Sequence, residues 1–158
     1  MRLGYLFTSF EGRISRKPFW IANIAMAAIL MAVILTVFVV METKGAPVTD
    51  LLANRAGLIG LIVLLYPSAA LMVKRLHDRD RPGILAALFL GPSLLVGITD
   101  ALGVTGAETW NTLDYLLNGL TLIAALWVIY ELGLRRGTPG PNRYGPDPLA
   151  EGRGISPT

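Results

Sequence analysis

Three polar segments hold nearly all the side chains of this sequence that could do chemistry, and each is built around arginine. Residues 10–20 read F-E-G-R-I-S-R-K-P-F-W, residues 74–83 read K-R-L-H-D-R-D-R-P-G, and residues 137–148 read G-T-P-G-P-N-R-Y-G-P-D-P. Arg13, Arg16, Arg75, Arg79 and Arg143 carry forked guanidinium donors, the geometry that suits phosphate or carboxylate. Asp78, Asp80 and Glu11 are the carboxylates available to hold some of those groups in place. Asn142 and Tyr144 add neutral hydrogen-bonding groups, and Gly137, Gly140 and Gly145 alternate with Pro139, Pro141 and Pro146 in a way that fixes a tight loop. His77 is the single histidine. It adjoins Asp78, so on a helix the two side chains point about 100° apart and do not bond each other. The candidate binding set is therefore Arg13, Arg16, Arg75, His77, Asp78, Arg79, Asn142, Arg143 and Tyr144.

Four kinds of function are open to such a set. The residues can form a salt-bridged cap that closes the ends of helices. They can bind anionic lipid headgroups, because each juxtamembrane arginine gains roughly 1 kcal/mol near an anionic leaflet, or they can dock a protein partner. They can serve a membrane enzyme acting on a phosphorylated lipid, with His77 and Asp78 as the catalytic pair and the arginines clamping phosphate. Transport by an oligomer is a fourth class, but carriers place ionisable groups at mid-membrane, and here Asn23, Asn118 and a few hydroxyls are the polar residues within the apolar runs. The absence of cysteine removes disulfides, thiolate metal sites and cysteine nucleophiles. There is no H-E-x-x-H, no G-x-S-x-G and no phosphate-binding glycine loop followed by Lys-Ser/Thr. No metal, cofactor or nucleic-acid partner is expected; membrane lipids are, with a homo-oligomer or another membrane protein as a further partner.

The elements that must position these residues are apolar. Hydrophobic residues make up 53% of the 158 and charged residues only 16%, against about 25% charged in soluble domains. Four stretches lack any charge: 18–41, 56–73, 82–99 and 115–130. A hydrocarbon core of about 30 Å takes roughly 20 apolar residues in a helix, so each run is read as one crossing, the fourth extended to 134. A soluble bundle would repeat a polar face along each helix; here the polar residues gather between the runs. A cleaved signal peptide is not expected, since the first run exceeds the usual 7–15-residue core. The fold class is all-α integral membrane with four spanning helices. Residues 1–148 are read as one membrane domain, and 149–158 as a flexible cytoplasmic tail.

Basic residues orient the chain. Arg2, Arg13, Arg16 and Lys17 precede the first run, Lys74, Arg75, Arg79 and Arg81 lie between the second and third, and Arg135, Arg136, Arg143 and Arg153 follow the fourth. Twelve of the 14 Lys and Arg residues thus share one side, leaving Lys44 and Arg55 opposite, among Glu42, Asp50, Asp100, Glu108 and Asp114. Short cytoplasmic loops carry the basic excess, so both termini and the central loop are expected inside.

Between these landmarks, Leu3, Leu6, Phe7 and Phe10 fall at helical spacing and predict a short interfacial helix ended by Gly12. Ser15 is placed to cap the first span, with Pro18 in its first turn. Residues 42–55 read as an outer loop with a Gly45-Ala46-Pro47 break, and Trp110 reads as an interface anchor. Pro67 and Gly91-Pro92 fall inside the second and third spans, where they bend a helix. Glu131 stands four residues before Arg135, a spacing that bridges one turn.

The three motifs in this order, over four spans, resemble the family of small bacterial inner-membrane proteins grouped as domain of unknown function 805. That family is similar to G-R-x-S-R-x-x-F-W, then R-R-L-H-D, then G-T-x-G-x-N-x-Y-G-x-D-P, and the likeness runs from Phe7 to about Pro148. Two departures stand out. Lys74 replaces the first of two arginines, and Pro82-Gly83-Ile84-Leu85 replaces Ser-Gly followed by aromatics. The resemblance implies an architecture and motif positions; it implies no reaction.

Overall fold

The computed structural model of the chain describes residues 3–44, 50–105 and 110–150. The Gly45-Ala46-Pro47 break, Arg2, Glu108, Arg153 and residues 151–158 of the expected tail lie outside the described residues. The order of elements is α1 (Leu3–Thr8), α2 (Arg16–Lys44), α3 (Asp50–Asp78), α4 (Ala86–Ala101) and α5 (Thr112–Val128). A 3₁₀ turn, Gly83–Leu85, leads into α4, and a π-helical turn, Ile129–Leu134, extends α5. There is no strand among the described residues; an isolated bridge joins Asn142 to Gly145.

Among the described residues, four segments are long and apolar enough to cross a membrane: Arg16–Val40, Gly57–Asp78, Gly83–Ala101 and Thr112–Leu134. The fold is that of an all-α integral membrane protein with a short helix before the first span. The helices overrun the charge-free stretches. α2 continues to Lys44 and α3 begins at Asp50, so much of the expected 42–55 loop is helical. α3 also runs past residue 73 to Asp78, carrying Lys74 and Arg75 inside the helix. Charged side chains tolerate that position because each finds a partner, as described below.

α1 lies on α3, which packs on α4, which packs on α5. At Gly97 a β-carbon would come within 2.7 Å of a Leu61 methyl group, so the missing side chain lets α3 and α4 approach closely. Phe89 and Trp127 meet edge to face, centroids 5.2 Å apart, between α4 and α5. α5 starts in a capping box: the Asp114 N–H donates to Asn111 Oδ1 at 3.0 Å, and the Asn111 N–H donates to Asp114 Oδ2 at 2.7 Å. Pro67 and Pro92 sit inside α3 and α4, which continue through them.

α2 behaves differently. It reaches α3 and the π turn, and none of its described α-carbons comes within 8 Å of α4 or α5. Every side chain over residues 27–40 is exposed. Lipid tails are as apolar as leucine, so an apolar helix surface has no hydrophobic reason to leave the bilayer for another helix. The buried core gathers instead at the end that bears the motifs, where Leu6, Ile14, Phe19, Leu71, Leu76 and Leu132 join in one cluster.

Candidate functional site

The motif end is organised around one carboxylate. Asp78 closes α3, and its side chain is only 4% exposed. Arg13 Nε and Nη2 donate to Asp78 Oδ1 at 3.2 and 3.1 Å, and Arg75 Nη1 donates to Oδ2. Arg75 lies three residues back on the same helix face, while Arg13 arrives on the extended segment that follows Gly12, whose φ of +80° turns the chain away from α1. Arg13 uses all five N–H groups: besides Asp78, Nη1 donates to the carbonyls of Gly140 (2.8 Å) and Gly145 (3.2 Å), and Nη2 donates to that of Thr138 (2.7 Å). The first, second and third motifs are therefore tied through a single guanidinium.

The third motif is folded onto the end of α3 by its backbone. The Thr138 N–H and hydroxyl both donate to the Asp78 carbonyl, at 2.8 and 3.1 Å. Gly137 passes so close to the Asp78 carboxylate that a β-carbon there would overlap it. Asn142 Nδ2 donates to the His77 carbonyl at 2.9 Å and to Thr138 Oγ1 at 3.0 Å, and a tight turn returns the chain from Asn142 to Gly145.

A second set of donors closes the last span. A helix C-terminus leaves carbonyls without intrahelical partners and carries partial negative charge. Here Arg75 Nε donates to Leu132 O (2.7 Å), Trp20 Nε1 to Gly133 O (3.1 Å) and Arg16 Nη1 to Leu134 O (2.9 Å). Arg75 Nη2 reaches Arg135 O (2.5 Å), and Arg79 Nη1 reaches Arg136 O (3.0 Å). Gly133 gives the Trp20 ring its place, for a β-carbon would stand 2.6 Å from that ring. Lys74 does the same service for α1. Its ammonium is fully buried, donates to Tyr5 O and Leu6 O at 2.6 and 2.5 Å, and lies 4.9 Å from the centroid of the Tyr5 ring.

Glu131, 3% exposed, is a second buried carboxylate and gathers three arginines. Arg135 Nη1 stands 2.9 Å from Oε2, with Arg79 Nη2 and Arg81 Nε 3.0 and 3.4 Å from Oε1. Arg79 Nε is buried without a hydrogen-bond partner among the described residues. Burial pulls the Arg79 pKa below its ordinary value, and the neighbouring Glu131 carboxylate opposes that.

His77 takes no part in the carboxylate network. Its ring stacks on Tyr144, centroids 3.8 Å apart and planes within 5°, and Nδ1 lies 3.3 Å from the Gly12 carbonyl. A carbonyl only accepts, so Nδ1 carries the proton there. Arg143 lies over the other ring partner, 4.8 Å from the Tyr144 centroid, and forms an exposed pair with Asp80 at 3.1 Å. Of the residues singled out from sequence, Arg13, Arg75, Asp78 and Asn142 share one network, His77, Tyr144 and Arg143 form an adjoining stack, Arg79 joins Glu131, and Arg16 caps the π turn. Glu11, read as a guanidinium partner, forms no ion pair among the described residues. No cluster of metal-ligating side chains occurs among them either. Sequence reasoning missed Lys74 and Thr138 as anchors and saw only one of the three Glu131 pairs. A lone glutamate at the end of an apolar run, with arginines in two other segments, was the available signal.

Beside the network lies a cavity of about 600 Å³, lined by Ser15, Arg16, Arg75, Asp78, Arg136, the chain from Gly137 to Pro139, Asp147 and Leu149. Arg13 and Arg75 offset Asp78, whereas Arg16 and Arg136 are exposed and form no ion pair among the described residues. The cavity can thus offer guanidinium donors and the Ser15 hydroxyl to an anion.

The chain is 34% identical over 139 residues to the uncharacterized protein YiiR of Escherichia coli (strain K12), covering 88% of this chain and 85% of that protein. It is 29% identical over 151 residues to the inner membrane protein YhaH of the same strain, covering 92% and 91%, and 28% identical over 142 residues to the inner membrane protein YhaI, covering 90% and 87%. No solved structure matches. The family described as "Protein of unknown function (DUF805)" matches residues 7–146, a stretch that contains the first two motifs, all but the last two residues of the third and all four spans, and the chain belongs to that family.

Proposed function

We propose that this is a multi-pass protein of the bacterial inner membrane, with both termini cytoplasmic, whose three motifs build a rigid cap that holds an anionic lipid headgroup. Twelve of the 14 basic residues on one side support the orientation, and relatives named as inner membrane proteins support the location. The observation that carries the reading is the cavity of about 600 Å³ with Arg16 and Arg136 on its wall. The two arginines of the Asp78 network are spent on buried partners; Arg16 gives one donor to the Leu134 carbonyl, and neither Arg16 nor Arg136 forms an ion pair among the described residues. Phosphate is the group their planar forks fit, and at this depth a lipid headgroup is the abundant source of it. Geometry favours binding over catalysis, because His77 stands outside the cavity, occupied by Tyr144 and the Gly12 carbonyl.

The test is native mass spectrometry of the full-length protein released from nanodiscs of mixed phosphatidylcholine and phosphatidylglycerol. Wild type should retain phosphatidylglycerol selectively. The Arg16→Gln/Arg136→Gln variant should lose that selectivity by roughly thirtyfold, at about 1 kcal/mol for each arginine. Retention in the bulk ratio by both proteins would leave the cap a purely structural device.

A further inference from the structure

A second cavity, of about 270 Å³, lies in the membrane-spanning part of the molecule. Its walls come from all four spans, among them Trp20 and Asn23 of α2, Met72 of α3, Ser93 of α4, and Thr121 and Ala125 of α5. It exists because α2 touches the bundle only near its motif end and then keeps away from α4 and α5. The space between is a cleft.

Three features distinguish it from an ordinary lipid-facing groove. First, Asn23, Ser93 and Thr121, from three different helices, place neutral polar groups in its wall. Asn23 uses Nδ2 on the Phe19 carbonyl at 2.8 Å and Thr121 uses its proton on the Leu117 carbonyl at 2.9 Å. That leaves the Asn23 carboxamide oxygen and the Thr121 lone pairs as acceptors. Ser93 has no hydrogen-bond partner among the described residues, so its hydroxyl is free to donate. Second, Arg16, Trp20 and Asn23 stand at i, i+4 and i+7 of α2 and so share one face. The cleft therefore lies under the arginine cavity, Asn23 about 10 Å deeper than Arg16 at about 1.5 Å of rise per residue. Third, the bilayer is as apolar as the cleft wall, so apolar area alone gives a lipid chain no preference for it. Any selection must come from the charge above and the polar groups below.

We infer that the cleft between α2 and the α4–α5 pair receives the glycerol-ester region and upper chain of the same anionic phospholipid whose phosphate sits at Arg16 and Arg136. This rests on the headgroup reading and extends it from a charge preference to a built site for one whole lipid, entered laterally past α2. Ester carbonyls accept from Ser93, and Trp20, held by its bond to Gly133, forms the partition around which the molecule bends.

The experiment uses phosphatidylglycerol and phosphatidylcholine probes, each carrying a photoreactive diazirine on one acyl chain near the glycerol, in nanodiscs with the full-length protein. Peptide mapping reads the labelled sites. Wild type should show the phosphatidylglycerol probe concentrated on Met72, Ser93 and Thr121, and the phosphatidylcholine probe spread over residues 27–40 of α2. Ser93→Ala should lower the cleft labelling about threefold, the loss expected for one intramembrane hydrogen bond. Ala125→Trp, which fills the cleft without touching the cap, should abolish it while gel filtration and helix content stay those of wild type. Equal labelling of the cleft by both probes overturns the inference. Selective retention of phosphatidylglycerol that depends on Arg16 and Arg136, with label confined to the outer surface, also overturns it but leaves the headgroup reading standing. Loss of selective retention altogether removes both.

Discussion

Replacing Asp78 by Asn tests the organisation of the cap most directly. The carboxylate is 4% exposed and is shared by two guanidinium groups whose side chains are 1% and 0% exposed. Removing one partner of a buried ion pair costs about 3–5 kcal/mol, because the other charge stays buried and uncompensated. Asn keeps an acceptor for the fork of Arg13 but turns an NH₂ group toward Arg75 Nη1, or the reverse. The lower end of that range, about 3 kcal/mol, is therefore expected for Asp78→Asn. Asp80→Asn supplies the internal control. It breaks the Arg143–Asp80 pair, whose side chains are 58% and 47% exposed, and pairs of that kind contribute about 0–1 kcal/mol. Both variants lose one negative charge within three residues of each other, so any general effect of net charge cancels. Unfolding of the purified proteins in mixed micelles, followed by circular dichroism as the denaturing detergent fraction rises, gives the two free energies. If the two variants unfold within about 1 kcal/mol of each other, Asp78 is not the hub described here.

Three further outcomes are expected. Gly137→Ala should destabilise the cap by about 1–3 kcal/mol, since its β-carbon would overlap the Asp78 carboxylate and the third motif must lift; faster proteolysis within 137–148 is the readout. Lys74→Met keeps the length of the side chain but uncaps the carbonyls of Tyr5 and Leu6, so amide exchange over Leu3–Thr8 should accelerate while that of α4 stays unchanged. The chain has no cysteine, so single substitutions label without background. Leu149→Cys should react with an impermeant maleimide only in inverted vesicles, and Trp110→Cys only in intact cells; the opposite pattern would reverse the proposed orientation.

Much of the architecture was legible because membrane-spanning helices need runs without charge, and residues 18–41, 56–73, 82–99 and 115–130 have none. The ends of the helices were less legible for the same reason. Lys74 and Arg75 end a charge-free run, yet α3 continues through them to Asp78, because the Tyr5, Leu6, Leu132 and Arg135 carbonyls accept their protons. Backbone carbonyls leave no mark in a sequence: every residue has one, and only the π turn at Ile129–Leu134 decides which are free. The motif arginines were readable as donors, but whether Arg13 faces solvent or spends all five N–H groups inside depends on how residues 137–145 fold back. Asn23, Ser93 and Thr121 sit 28 or more positions apart and share a wall only because α2 diverges from α4 and α5.

The joining of Arg13 to the carbonyls of Gly140 and Gly145, 127 and 132 residues further along, also sets a timetable for biogenesis. While the chain is being synthesised, the first span, then the hairpin of the second and third, enter the bilayer with Arg13 and Asp78 already made but the loop that encloses them still inside the ribosome. The final dozen residues of the matched region are thus a latch that closes last. A ribosome that stops early, or a protease that trims the end, would release four inserted helices with an open and charged rim. That rim is a local, chemically distinct mark of an unfinished molecule, of the kind a membrane-bound quality-control protease can grip.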